Sequence, residues 1–175
     1  MSKPVVVTHD YAASPEEVWY LATDFACFAE AMKGVATFEG MPESGSLSAG
    51  DAFDVKVRLF GWMPSMDYHM ELVDYDPKTH RFRSLEHGGS IRKWEHVLTV
   101  TPSDHCARLT DRVSIVALLS TPLMRLWARF VYRRRHSPRL AMLAAIQNKG
   151  EMGNEARSEA IAAVQNIAAL RNGIW

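Results

Sequence analysis

The alternation in AFDVKVRLF, residues 52–60, constrains this chain more than any other short stretch. Phe53, Val55, Val57 and Leu59 occupy every second position, with Asp54, Lys56 and Arg58 between them. Side chains on a strand point to opposite faces in turn, so the pattern predicts a strand with one face in a core and one in water. Related segments recur as VATFEGM from residue 35, SMDYHMELVDYD from 65, RFRSLEH from 81, SIRKWEHVLTV from 90 and CARLTDRVSIVAL from 106. GWMP, DPKTH, a Gly pair and the dipeptide Ser103-Asp104 punctuate them as turns. After Thr121-Pro122 the period becomes helical.

Ahead of this run, KPVVVTHDYAA is rich in β-branched residues and reads as a first strand. SPEEVWYLATD then carries a helix start, with Ser14 as N-cap, Pro15 at the first helical position and Glu17 completing a capping box. Val18, Leu21 and Ala22 form its inner stripe, and FACFAEAMKG predicts a second short helix ending near Gly34. The expected fold class is α+β: a curved antiparallel sheet of about seven strands wrapped around a long C-terminal helix, with two short helices after strand 1. A sheet curved around one helix leaves a gap between them, a natural small-molecule pocket.

The length of 175 residues suits one domain, here expected over residues 1–146, with a helical extension at 147–175. In that extension Ile161, Val164, Ile167 and Leu170 recur at threes among alanines, an amphipathic pattern that packs on its own domain or forms a homodimer contact through residues 155–170. Lys+Arg and Asp+Glu number 20 each, so no charge bias points to nucleic acid. No stretch has the length and apolarity of a signal peptide or a membrane span, so stable membrane insertion is not expected. Two cysteines, Cys27 and Cys106, could form one bridge, but nothing else suggests an oxidising compartment, and the expected location is cytoplasmic. Seven histidines are scattered over different elements without metal-ligand spacing; no metal and no cofactor are expected.

Register arithmetic makes the sheet more specific. If Ser103-Asp104 is a two-residue hairpin loop, Pro102 faces His105, and Val100, Leu98, His96 and Trp94 face Ala107, Leu109, Asp111 and Val113. These residues share one mostly apolar face, and Arg92 joins it by parity. His96 and Asp111 would then be direct cross-strand neighbours with Cβ atoms about 4.5–5.5 Å apart. A carboxylate beside an imidazole fixes its tautomer and favours its protonated form, giving either a satisfied buried pair or a polar handle able to move a proton. Met66, Tyr68, Met70 and Leu72 share a face that reads as core or cavity lining, where methionine suits irregular apolar shapes. Trp62 and Met63, in a turn, cap a cavity mouth or anchor a surface.

The segment LMRLWARFVYRRRHSPRL, from Leu123, carries five arginines before its Ser-Pro break. On a helical wheel Leu123, Leu126, Trp127 and Phe130 gather in one sector, bordered by Val131, with Arg125, Arg129 and Arg133 opposite. That sector is expected to face the core. Arg134 also falls within it, either leaning past the core edge or guarding a cavity mouth toward an anionic head group. Pro138 ends or kinks the helix, or starts another.

On these residues the chain resembles a known superfamily. A strand followed by SPEEVW, six more strands and a final helix, with Trp94 and His96 in KWEHVLTV, Thr110 and Asp111 in RLTDRVSI, and Arg134 and His136 in RFVYRRRHSPRL, is similar to the START/Bet v 1-like (SRPBCC, polyketide cyclase-like) superfamily and its bacterial ligand-binding members. The likeness spans about residues 3 to 144. It implies a helix-grip fold with a hydrophobic cavity, while members include carriers, sensors and cyclases, so it leaves the reaction open. The first functional reading is binding of a lipid or polyketide-like hydrophobic molecule, with Met70, Trp94, His96, Leu98, Asp111, Val113, Leu123, Trp127, Phe130 and Arg134 as ligand-binding candidates. The second is an aromatase/cyclase-type enzyme using His96 or Asp111 for proton transfer. The third is a membrane-surface or partner-binding module acting through the basic helix.

Overall fold

The computed structural model describes residues 3–104, 106–118 and 120–150. The elements run β1 (Val5–Tyr11), α1 (Pro15–Thr23), α2 (Phe25–Met32), β2 (Ala36–Glu39), β3 (Ala52–Leu59), β4 (Met66–Asp76), β5 (Arg81–Gly88), β6 (Ile91–Ser103), β7 (Cys106–Ala117), α3 (Thr121–Arg134) and α4 (His136–Gly150). The seven strands form one antiparallel sheet in the order β1-β7-β6-β5-β4-β3-β2. The two short helices carry the chain from one sheet edge to the other, and the sheet curls as a half-barrel around α3 and α4. This is the helix-grip architecture the element pattern predicted.

Local chemistry sets the helix starts. Ser14 Oγ accepts from Glu17 N at 3.2 Å and Glu17 Oε2 accepts from Ser14 N at 2.9 Å, the expected capping box. Asp24 caps α2 through Cys27 N at 2.9 Å. Curvature comes from extra residues in the ladders. Val73 and Arg92 each interrupt the pairing of their strands, and such bulges bend and twist a sheet. At the β5 end Gly88 has φ +150°, and a Cβ there would collide with the Asp67 carbonyl oxygen. Two strands meet closely at this corner because no side chain stands between them.

Three expectations are corrected. First, Ser103 pairs with Cys106, so the hairpin turn lies one residue later than expected and the partner of each β6 residue moves by two. His96 opposes Val113, and Leu98 opposes Asp111. A shift of two preserves the pleat, so the inner face keeps its membership: Trp94, His96, Leu98, Val100, Ala107, Leu109, Asp111 and Val113 are all buried. Second, the bulge at Arg92 breaks the alternation there, and Arg92 is exposed.

Third, α3 is turned by roughly a third of a turn from the expected orientation. Leu123, Leu126 and Phe130 are exposed, Trp127 is half-buried, and Arg134 faces solvent. The inner stripe is Ala128, Val131, Tyr132, Arg135, Arg139, Met142, Leu143 and Ile146, spaced by threes and fours across both helices. Arg135 N still donates to Val131 O and Arg139 N to Arg135 O, so the stripe stays in phase where α3 gives way to α4. Met142, Leu143 and Ile146 pack with α1, α2 and the middle strands, and that anchor sets the phase of the whole helix. α4 continues to Gly150; the amphipathic segment at 155–170 lies outside the described residues.

Candidate functional site

Between the sheet and the helices lies a cavity of about 500 Å³. α2 contributes Phe25, Phe28 and Met32, while β3 and β4 contribute Phe53, Val57, Met66 and Met70. β6 contributes Ile91, Trp94, His96 and Leu98, and α3 closes it with Leu123, Met124, Trp127, Val131 and Tyr132. The wall is mainly apolar and aromatic, with a few convergent polar groups, the composition of a small-molecule site. A broader depression of about 710 Å³ lies on the outer face of the sheet. It is crossed by the exposed pairs Lys56–Asp67 at 3.3 Å and His69–Asp54 at 2.8 Å, and none of the described helices contributes to its lining.

The polar interior centres on Asp111, which is 0% exposed. His96 Nε2–H donates to its Oδ1 at 2.8 Å, reaching diagonally across the β6–β7 ladder. Arg139 Nη1 stands 3.8 Å from its Oδ2. Burial alone would raise the Asp111 pKa, but the His96 hydrogen bond and the charges of His96, Arg139 and Arg135 outweigh it and hold the carboxyl below its ordinary range. Asp111 itself lies behind the cavity wall, and His96 is the member of the pair that lines it. An imidazole oriented by a buried carboxylate is what a general base requires, and also what a fixed hydrogen-bonding handle requires.

Two more polar groups enter the cavity. Glu86 on β5 accepts from Tyr68 Oη at 3.0 Å and Ser84 Oγ at 2.8 Å. Burial, then the adjacent Glu86 carboxylate, pushes the Tyr68 hydroxyl far above its usual range, so it stays a donor. Arg135 lies with its guanidinium carbon 4.5 Å from the Tyr132 ring centroid and 5.1 Å from that of Phe28, and its Nε donates to Met32 Sδ at 3.1 Å.

Behind Asp111, on β1, His9 stacks on His136 with ring centroids 4.2 Å apart, and Tyr11 meets His136 edge-on at 5.0 Å. Burial, then the neighbouring His136, lowers the His9 pKa to about 4, and His136 is lowered by burial and Arg139. The unfolded chain therefore binds protons that the folded one refuses once pH falls below the ordinary histidine value of 6.5. The contribution of this pair to stability is complete above that pH and is lost as pH falls from 6.5 toward 4. Thermal melts across this range are expected to show the decline, and His9→Phe, which keeps a ring in the stack, to flatten it. A decline of unchanged slope in His9→Phe would remove His9 as its source.

Of the residues nominated from sequence, Met70, Trp94, His96, Leu98, Leu123 and Trp127 line the cavity. Asp111 and Val113 are buried behind it, and Phe130 and Arg134 point outward. Tyr68, read from the alternation of its strand as core or cavity lining, stands in the wall, whereas sequence reasoning missed Glu86, Tyr132, Arg135 and Arg139 as polar lining. Parity along RFRSLEH would have put Glu86 inside with Phe82 and Ser84. Extending the helical wheel to Met142, Leu143 and Ile146 would have exposed the two arginines. Trp62 is 77% exposed and stands outside the lining, while its neighbours Phe60 and Met63 belong to it. Cys27 and Cys106 are both free thiols. Among the described residues no helix is long and apolar enough to cross a membrane, and no group of three or more His, Cys, Asp and Glu side chains could hold a metal ion.

A curled antiparallel sheet gripping one long, kinked helical run, with two short helices after its first strand, is the START/Bet v 1-like (SRPBCC) fold. Solved structures show the same. Protein CV1439 from Chromobacterium violaceum matches with a TM-score of 0.64 at 13% identity, over 81% of this chain and 97% of that one. The AHSA1 (SPO3351) protein from Silicibacter pomeroyi matches at 0.60 and 14%, over 81% and 97%. Ara h 8.0201 matches at 0.57 and 10%, over 79% and 97%. Within this fold the chain belongs to the family described as domain of unknown function DUF8410, whose model matches residues 9–143. No curated protein matches it.

Proposed function

We propose that the protein binds a hydrophobic small molecule, lipid or polyketide-like, in the cavity between sheet and helix. The observation that carries this reading is the cavity itself: about 500 Å³ of space walled by Phe, Met, Trp and Val beneath α3. A core of this size would be filled by side chains if packing were its only role, because protein interiors reach crystal-like density. His96, Tyr68–Glu86 and Arg135 supply the few polar points that orient a ligand. The full chain is titrated with N-phenyl-1-naphthylamine, a neutral apolar fluorophore. Saturable, blue-shifted emission at one site per chain, displaced by long-chain lipids, supports the reading. Emission no greater than in buffer, with no small molecule retained in native mass spectrometry, overturns it.

A second reading, docking on an anionic bilayer, is favoured by the outward face of α3. Leu126 is 65% exposed beside Leu123 and Phe130, and Arg129, Arg133 and Arg134 are exposed on the same helix, which contains no acidic residue. Apolar side chains flanked by arginines suit the interface of a negatively charged membrane. Phe60 and Leu123 both line the cavity and stand exposed, so the face adjoins its mouth. Flotation with phosphatidylcholine vesicles containing phosphatidylserine tests this reading. Binding that falls with salt and is lost in Leu126→Glu supports it, and equal recovery with phosphatidylcholine alone counts against it.

A further inference from the structure

We propose that the ligand is an apolar acid, and that Arg135 holds its single carboxylate inside the cavity; this rests on the binding reading above. Arg135 is 8% exposed and lines the cavity. None of the ion pairs within 4.0 Å among the described residues involves it. The buried and half-buried carboxylates of the same interior are engaged elsewhere: Asp111 with His96 at 2.8 Å and Arg139 at 3.8 Å, Glu86 with Tyr68 at 3.0 Å and Ser84 at 2.8 Å, and Asp24 with Cys27 N at 2.9 Å. A buried cation with no carboxylate in contact is costly, and ring contacts and the more distant charge of Asp111 offset only part of that cost. Arg135 is therefore placed at a cost to the folded protein that an anionic ligand would repay.

The geometry also selects the anion. Tyr132 and Phe28 flank the guanidinium at 4.5 and 5.1 Å, and Nε is spent on Met32 Sδ. The donors of a guanidinium lie in its plane, so the two Nη groups remain for the cavity side. Two parallel N–H donors match the two oxygens of a carboxylate. One free guanidinium balances one negative charge. A phosphate dianion would need a second cation, and Arg139 is committed to Asp111. Glu86 in the same cavity repels any added negative charge, and a dianion about twice as strongly as a monoanion. Phe, Met and Val along α2, β3 and β4 take the apolar body.

The test compares ligands matched in shape but not in charge. Dodecanoate, methyl dodecanoate and 1-dodecanol compete against N-phenyl-1-naphthylamine on the full chain at neutral pH. Dodecanoate is expected to bind about 10- to 100-fold more tightly than either neutral analogue, the range of a charge-assisted bidentate contact. In Arg135→Met the preference disappears, read as the ratio of acid to ester and alcohol affinities within that variant, which cancels any change of the cavity wall common to all three ligands. Arg135→Lys, which keeps the charge but not the fork, retains part of the preference and serves where the Met variant folds poorly. Equal binding of acid and ester by the wild type overturns this inference and leaves the hydrophobic cavity standing. A preference that persists in Arg135→Met also overturns it. Failure of all three ligands and the fluorophore overturns the binding reading itself. Thermal melts separate a ligand-holding role from a structural one. Removing this buried charge is expected to leave the melting temperature unchanged or raised, and a large fall would assign Arg135 to the core instead.

Discussion

Replacing Asp111 with Asn lowers the stability of the fold by about 3–5 kcal/mol, the usual loss when a buried ion pair is broken by removing one partner. Asparagine keeps the size of the side chain and an oxygen for the His96 Nε2–H. It removes the charge that faces Arg139, a residue only 3% exposed. The uncompensated guanidinium, more than the lost contact, accounts for the penalty. Restoring neutrality with Arg139→Met in the same chain is therefore expected to recover much of the loss, and the double-mutant cycle to show strong coupling. The pH dependence has a defined sign. The Asp111 carboxyl is held below its ordinary value of 3.8 in the folded state, so its contribution is complete above that pH. It disappears as pH falls through the lower folded value. Urea denaturation at pH 7 reads the full gap between wild type and Asp111→Asn, which narrows only in strong acid. A gap below about 1 kcal/mol at pH 7 would show that solvent already compensates Arg139.

Trp19→Ala is the second substitution with a large expected effect, about 3–5 kcal/mol for a truncated buried indole. Trp19 on α1 packs against Tyr75, His80 and Phe82 with ring centroids 5.5, 5.7 and 6.1 Å away. Through it α1 is fastened to β4, β5 and the turn between them. α2 follows α1 directly and carries Phe25, Phe28 and Met32 into the cavity wall. Losing the indole loosens the wall at a distance, so weaker N-phenyl-1-naphthylamine binding accompanies the lost stability. The expected fall in melting temperature is roughly 6–20 °C for a chain of this size. Unchanged fluorophore affinity in a destabilised Trp19→Ala would show that α2 holds its place without α1.

Some of this architecture was legible in single residues. The alternation in β3 and the capping box at Ser14 are local, and local physics set them. The β6–β7 hairpin shows how far such reasoning reaches. Parity assigned His96 and Asp111 to the same face correctly, because the face depends only on whether a count is odd or even. The partner of each residue depends on where the turn closes, and moving that turn by one residue replaced direct opposition with a diagonal contact. The phase of α3 was not legible from its own apolar residues. Leu123, Leu126 and Phe130 form a plausible inner stripe until Met142, Leu143 and Ile146 are included, and these belong to a packing contact with α1 and α2 far away in sequence. Arg92 escaped for a similar reason, since a bulge resets parity without leaving a mark in composition.

The inner stripe of the helix also fixes where the helix can sit. A protein that keeps a cavity has fewer interlocking side chains to define position, and a smooth apolar helix could slide along such a groove. Arg135 and Arg139 lie one turn apart, about 5.4 Å along the axis. Sliding by a turn in one direction brings Arg139 to the place between Phe28 and the helix, but carries Arg135 to the apolar site of Val131 and leaves Asp111 without its cation. Sliding the other way pairs Arg135 with Asp111 and drives Arg139 among the residues that surround Leu143. Either displacement buries a charge in hydrocarbon. The two arginines thus work as a detent, holding a single seating for the helix over a core that is partly empty.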